Sequence, residues 1–271
     1  MMDVLMFGCG TSSGVPVVGC DCAVCVSGHP KNRRLRASLR ISWRAPQGPQ
    51  AAGGDEGGGG PEFVAVVDVG PDFRQQALTF GLPRLDAVLL THAHADHIMG
   101  LDDVRVFNFR QGGEIPLYGN GQTLRAIRHV FSYAFEESQE GGGKPKLSLC
   151  PVSTPFELGG RLFTPLPIFH GSLPILGYRC GDLAYITDCS EIPESTFALL
   201  EGVQVLILDA LRYHPHSTHF SLNEAIAASE RIGARRTIFT HLAHDIDYRW
   251  PRFELPPGME FGYDGLSFSL P

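Results

Sequence analysis

The stretch Asp86-Ala87-Val88-Leu89-Leu90-Thr91-His92-Ala93-His94-Ala95-Asp96-His97 decides the reading of this chain. Its first half, Asp86 to Leu90, is a continuous apolar run, the pattern of a short strand buried on both faces. Its second half is H-x-H-x-D-H, and imidazole with carboxylate suits divalent zinc, manganese or iron. His92 and His94 are two apart, so in extended backbone both point to one side. Asp96 and His97 then turn away and can serve a second ion. The competing reading is a polar loop that happens to be His-rich. Two ions need more donors than one run supplies, and three candidates follow apolar runs in the same manner. His170 ends LPIFH, Asp188 ends AYITD and His241 ends TIFTH. Each alone reads as a cap or a surface residue; together with the H-x-H-x-D-H run they complete two sites.

The pattern around this stretch alternates strands and helices. Strands are expected at Asp3 to Phe7, Ser38 to Trp43, Phe63 to Val69, Leu147 to Pro151, Arg161 to Leu166, Leu176 to Arg179, Leu183 to Thr187, Val203 to Leu208, Thr237 to Phe239 and Gly265 to Ser269. Helices are expected at Pro71 to Phe80, Gly121 to Phe135, Pro193 to Glu201 and Leu222 to Ile232, with a break at Gly141-Gly142-Gly143. Polar clusters fall at strand ends, which favours strand layers covered by helices. The segment 45–61, APQGPQAAGGDEGGGGP, has no large apolar side chain. It cannot bury enough surface to offset its ordering entropy, so it reads as a flexible insertion in a hairpin. A boundary there would leave an N-terminal piece too small to fold alone, so 1–271 is expected to be a single domain.

The formal net charge of −7 argues against broad electrostatic binding of nucleic acid or an anionic membrane. At 43% hydrophobic residues the chain can bury a large core, and disorder of the whole is excluded. No apolar run approaches the roughly 20 residues of a membrane helix. The start, MMDVLMFGCGTSSGVP, lacks a basic region and a long apolar segment, so a cytoplasmic location is expected. Three of the seven cysteines, Cys20, Cys22 and Cys25, form C-x-C-x2-C. In a reducing compartment that spacing favours a tetrahedral metal site, most simply structural zinc, over a disulfide. The fourth ligand is either His29, four residues after Cys25, or His244, three residues after His241.

One more polar cluster, DALRYHPHSTHFSLNEA, follows the strand Val203 to Leu208. Ser221 and Glu224 make a capping box for the following helix. His214 and His216 read as neighbours of that cap, and Asp209 as a turn residue or a partner of a ligand histidine. Asp102 and Asp103 read as solvated or capping residues.

The arrangement of His92, His94, Asp96, His97, His170, Asp188 and His241 resembles the metallo-β-lactamase superfamily over nearly the whole chain, the Gly-rich insertion excepted. The resemblance implies an αββα four-layer sandwich, an α/β fold with two central mixed sheets flanked by helices. It implies that His92, His94 and His170 bind one metal, that Asp96, His97 and His241 bind the other, and that Asp188 bridges them. The stretch GTSSGVPVVGCDCAVC resembles the N-terminal segment of the PhnP branch, a group of cyclic phosphodiesterases. By that match His244 completes a structural zinc site with Cys20, Cys22 and Cys25. The same resemblance makes His219, with Asp96, the catalytic pair: a histidine near this position in such enzymes reaches the active site without binding metal.

Two divalent ions with Asp96, Asp188 and a bridging hydroxide leave the site cationic, which suits an anionic phosphodiester. The expected function is therefore hydrolysis of a cyclic phosphodiester such as phosphoribosyl 1,2-cyclic phosphate. Two zinc or manganese ions would serve the active site and one structural zinc the cysteine cluster. The expected partner is this small substrate, with nucleic acid and membrane disfavoured and a homodimer left open. The alternatives are a ribonuclease Z-like tRNA 3′ endonuclease and a metal-binding protein without catalysis.

Overall fold

Side-chain alternation along the strands builds the layers. In Met2–Gly8, Met2, Val4 and Met6 enter one core while Leu5 and Phe7 enter another. In Val205–Asp209, Val205 and Ile207 share the first of these cores while Leu206 and Leu208 enter a third. A strand apolar on both faces must be covered on both faces. The shared core lies between two sheets, and each outer core lies between a sheet and helices. Each fully buried aliphatic side chain contributes about 1.5–3 kcal/mol.

The computed structural model describes residues 1–46, 60–136, 143–252 and 254–271. The first sheet contains β1 (Met2–Gly8), β2 (Ser38–Arg44), β3 (Glu62–Val67), β4 (Ala87–Leu89), β5 (Ile115–Gly119) and β6 (Leu147–Pro151). The second contains β7 (Phe156–Leu158), β8 (Arg161–His170), β9 (Leu173–Cys180), β10 (Leu183–Ile186), β11 (Val205–Asp209), β12 (Arg236–Thr240) and β13 (Met259–Phe261). The last strand, β14 (Ser267–Leu270), returns to the first sheet beside β1. The orders are β14-β1-β2-β3-β4-β5-β6 and β13-β12-β11-β10-β9-β8-β7. Both sheets are mixed: β3 to β6 run parallel, as do β10 to β13, and the remaining pairs are antiparallel.

Helices α1 (Phe73–Thr79), α2 (Ala95–Ile98), α3 (Arg105–Gln111), α4 (Gly121–Val130) and α5 (Ser132–Phe135) lie on the first sheet's side, where Phe73, Phe107, Leu124 and Ile127 fill the outer core. Helices α6 (Glu194–Leu199) and α7 (Leu222–Ile232) follow β10 and β11, and Leu222, Ala225 and Ala228 fill the other outer core. This is the αββα sandwich. Helix α7 begins with the expected capping box, Ser221 accepting from the Glu224 amide and the Glu224 carboxylate accepting from the Ser221 amide.

Several boundaries differ from the expectations. The helix expected over Gly121 to Phe135 breaks at Phe131, whose φ of −107° and ψ of 37° leave the helical region. Strand β8 continues past Leu166 to His170 through Pro165 and Pro167. Its neighbour β7 pairs only with Arg161 to Phe163, and the next pairing on that side is Phe169 with Glu191, so Pro165 and Pro167 fall in the gap and cost no ladder bond. Strands β5, β7 and β13 were not expected; β5 contains Pro116 and Gly119, and β7 and β13 have three residues each. In the Gly-rich insertion, residues 47–59 lie outside the described residues, as do 141 and 142 of the expected glycine break. At the base of the insertion, β2 and β3 stay in register out to Arg44 and Glu62, and the Ala45 amide donates to the Pro61 carbonyl at 3.0 Å. Among the described residues no helix is long and apolar enough to cross a membrane.

Candidate metal centre

The carboxyl ends of β3 and β4 in one sheet meet those of β10, β11 and β12 in the other. Each of these strands leaves its sheet at a polar residue. His92 and His94 follow β4, and Asp96 and His97 lie on α2. His170 ends β8, Asp188 follows β10, Asp209 ends β11 and His241 follows β12. Three of the residues gathered here, Asp68, Asp188 and His241, have φ of 59°, 54° and 58° and are the non-glycine residues with positive φ among those described. That left-handed turn aims each side chain back across the sheet end, and in a residue with a Cβ it costs of order 1–3 kcal/mol. Gly70 permits a further close approach: a Cβ there would meet the Asp96 carbonyl oxygen at 1.9 Å.

The donors gather into two groups. One ligand atom from each of His92, His94 and His170 lies within 4.8 Å of the others, and the same holds for Asp96, His97, Asp188 and His241. Asp188 also groups with His170 and His219, so it stands between the two sets. His97 Nε2 is 3.1 Å from Asp96 Oδ2 and 3.2 Å from Asp188 Oδ2, and His241 Nε2 is 3.3 Å from Asp188 Oδ1. Yet His97 Nε2 and His241 Nε2 are buried with no hydrogen-bond partner. Donor atoms this close without hydrogen-bond geometry converge on a common point between them rather than on one another. That arrangement fits a cation held by all of them.

The charge balance agrees. Burial alone would lower His97, but Asp188 and Asp68 outweigh it and raise it well above the ordinary imidazole value. His241 is likewise raised: burial opposes, while Asp188 and Asp209 prevail. Burial would raise Asp188, but the charges of His241 and His97 hold it well below the carboxylate range. His92 is lowered by burial and then by His97, and His170 by burial. Positive charge is thus favoured at His97 and His241 and disfavoured at His92 and His170.

Supporting groups fix the rings. Buried Asp68 receives His97 Nδ1 at 2.7 Å, the Thr91 amide at 2.9 Å and the Thr91 hydroxyl at 2.8 Å. The Tyr178 hydroxyl, from the opposite sheet, donates to the Leu90 carbonyl at 2.8 Å and steadies the end of β4. His170 Nδ1 donates to the Thr218 carbonyl at 2.7 Å. Asp209 sits between two rings: its Oδ2 is 3.3 Å from His219 Nδ1 and its Oδ1 is 3.4 Å from His241 Nδ1. The His219 ring lies 4.6 Å from that of His170 and 4.8 Å from that of His241. Sequence reasoning missed Asp68, although it follows an apolar run in the way His170, Asp188 and His241 do.

A second donor group lies where the N-terminal loop meets the segment after His241. The sulfurs of Cys20, Cys22 and Cys25 are 3.3, 3.5 and 3.4 Å from His244 Nδ1. Tetrahedral zinc with thiolates at about 2.3 Å and imidazole at about 2.0 Å puts sulfur and nitrogen about 3.5 Å apart, so this group fits zinc. Cys22 is lowered to about 7, first by the Cys25 amide that points at its sulfur. His29 is not in this group; its ring stacks on Tyr248 at 6.1 Å. Arg34 is buried and donates to the Ala243 carbonyl at 2.9 Å, and Leu242 exchanges backbone bonds with Cys9 and Thr11. Asp102 pairs with Arg105 at 2.6 Å, outside both groups.

Residues 65–242 match a family described as Beta-lactamase superfamily domain. An octanoyltransferase of Porphyromonas gingivalis is 38% identical over 269 residues, covering 98% of this chain and 51% of that protein. This chain thus spans about half the length of that relative. A solved diphosphatase from the PhnP family is 38% identical with a TM-score of 0.86, covering 100% of this chain and 98% of that one. Zinc-bound PqqB from Methylobacterium extorquens shares the fold, with a TM-score of 0.71 and 21% identity over 99% of this chain and 100% of that one. On the family match and the full-length likeness to the diphosphatase, this chain belongs to the β-lactamase superfamily and, within it, to the PhnP family.

Proposed function

We propose that this protein is a metal-dependent phosphodiesterase acting on a small cyclic phosphodiester such as phosphoribosyl 1,2-cyclic phosphate. His92, His94 and His170 would hold one divalent ion and Asp96, His97 and His241 a second, with Asp188 shared between them. Cys20, Cys22, Cys25 and His244 would hold a structural zinc. When bound, the active-site pair, zinc or manganese, would supply Lewis acidity toward a phosphoryl oxygen and an activated nucleophile at neutral pH.

The chain's own residues do the rest. Asp68 and the Thr218 carbonyl orient His97 and His170. Asp209 accepts a hydrogen bond from His219 Nδ1, which leaves Nε2 to hold the proton that goes to the departing oxygen. The observation that carries the reading is this carboxylate-held histidine beside two donor groups. A protein that only stored or transported metal would have no use for it.

A second reading, hydrolysis of a diphosphate, is favoured by the 38% identity to the PhnP-family diphosphatase. Both are tested by phosphorus NMR of manganese- or zinc-loaded protein, with His94→Ala as control. Ring opening of the cyclic phosphate to one phosphomonoester, absent in the control, supports the first reading. Cleavage of a diphosphate diester instead supports the second. Turnover of neither removes both.

A further inference from the structure

Two histidines three residues apart have their Nδ1 atoms facing partners of opposite character. His219 Nδ1 faces the Asp209 carboxylate at 3.3 Å, so Nδ1 carries the proton and Nε2 is free to take up or release one. His216 Nδ1 instead receives the Thr218 amide at 3.3 Å, with the Thr218 hydroxyl at 3.2 Å. An amide only donates, so the ring proton of neutral His216 sits on Nε2. His219 is built to exchange a proton, and His216 to present a fixed N–H. Among the described residues that N–H has no hydrogen-bond partner. A role as a turn cap explains Nδ1 and leaves Nε2 unexplained.

The turn that carries His216 is part of the centre's wall. The Thr218 carbonyl holds His170, and Gly171, with φ of 59°, lets Thr218 pack so close that a Cβ there would lie 2.9 Å from its methyl. The His216 ring is 5.2 Å from that of His219, one ring farther out than the metal donors. The loop's own residues are basic or neutral, and the carboxylate that acts on His216 is Asp209, behind His219. Residues 212–219 contain Arg212, His214, His216 and His219 and no acid, in a chain of net charge −7. Arg212 braces the loop through the His214 and Pro215 carbonyls, and Arg252 reaches it through His214 and the Tyr213 ring.

We propose that His216 is a substrate-binding residue whose Nε2 donates to a second phosphoryl group, on the side of the leaving oxygen. The site would then prefer substrates with two linked phosphoryl groups. This rests on the second reading above, hydrolysis of a diphosphate, and assigns a binding residue to it.

The test separates binding from turnover. Metal-loaded wild type, His216→Ala and His216→Gln are titrated calorimetrically with α,β-methylene-ADP and with AMP, and metal content is assayed before and after. Glutamine returns an amide N–H near the position of Nε2. Wild type and the glutamine variant are expected to prefer the diphosphonate by about tenfold. The alanine variant is expected to lose that preference with AMP affinity and metal content unchanged. Equal binding of both ligands by wild type overturns the proposal, as does a preference kept by alanine. So does loss of metal or of AMP binding in the alanine variant, which would make His216 a structural residue. Hydrolysis is measured separately: a His216-dependent preference without turnover of any phosphodiester removes the enzymatic reading alone. Turnover without that preference removes only the role of His216.

Discussion

Asp68 Oδ2 lies 2.7 Å from His97 Nδ1, and neither residue is reached by solvent. Burial raises the Asp68 carboxyl, and the His97 charge and three hydrogen bonds work against that rise. The pair fixes which ring nitrogen of His97 faces the centre. Asp68→Ala is expected to lower metal affinity by roughly 10- to 100-fold, the usual effect of removing such an orienting carboxylate. Competition against a chelator measures it. Wild-type affinity in the variant would show that His97 needs no such support.

His219→Ala is expected to reduce kcat by about 10²- to 10⁴-fold, the range for loss of a general acid. Metal content measured on the same preparations should stay at the wild-type level. Loss of an ion alongside activity would instead make His219 a ligand, a position its grouping with His170 and Asp188 also permits.

Cys22→Ala is expected to remove one equivalent of zinc and to lower the Tm. A destabilisation of about 2 kcal/mol moves the Tm of a domain this size by roughly 4–8 °C. His244 is three residues from His241, so the variant should also weaken the active-site pair. Unchanged zinc content and Tm would contradict the assignment.

Asp264 gives a pH dependence of known sign. Its oxygens accept from the Cys9 amide at 3.0 Å and the Leu35 amide at 2.7 Å, and burial pushes its carboxyl up to about 7. The unfolded chain releases this proton near 3.9. The native state binds the extra proton between those values, so this contribution is complete below about pH 4 and is lost as pH rises toward 7. Urea unfolding of wild type and Asp264→Asn at pH 5 and pH 8 isolates it. The stability of wild type relative to the variant should fall by about 2–3 kcal/mol between the two, and by less where water reaches the carboxyl. A constant difference would mean that Asp264 is ionised throughout.

The layers were legible because strand periodicity and double burial are local properties. The H-x-H-x-D-H donors were legible for the same reason, and His170, Asp188 and His241 because each closes an apolar run. Asp68 closes one too, but Phe63 to Val69 read as uninterrupted strand. Its positive φ, which turns the carboxylate toward His97, leaves no mark in the sequence. Strand β5 was missed because Pro116 and Gly119 argue against a strand unless the neighbours' pairing is known. Cys20 and His244 are 224 positions apart; spacing left His29 and His244 both open, and the resemblance to a family chose between them. The opposite settings of His216 and His219 depend on one amide and one carboxylate, which spacing does not reveal.

The three left-handed residues, Asp68, Asp188 and His241, make the centre a loaded spring. Each backbone gains free energy by slipping back to ordinary dihedrals, and each such slip swings a donor or its support out of place. The flanking strands, the hydrogen bonds that Asp68 accepts from Thr91 and His97, and a cation held by the donors oppose that recoil. Heating should therefore release metal from these turns before the sheets themselves come apart.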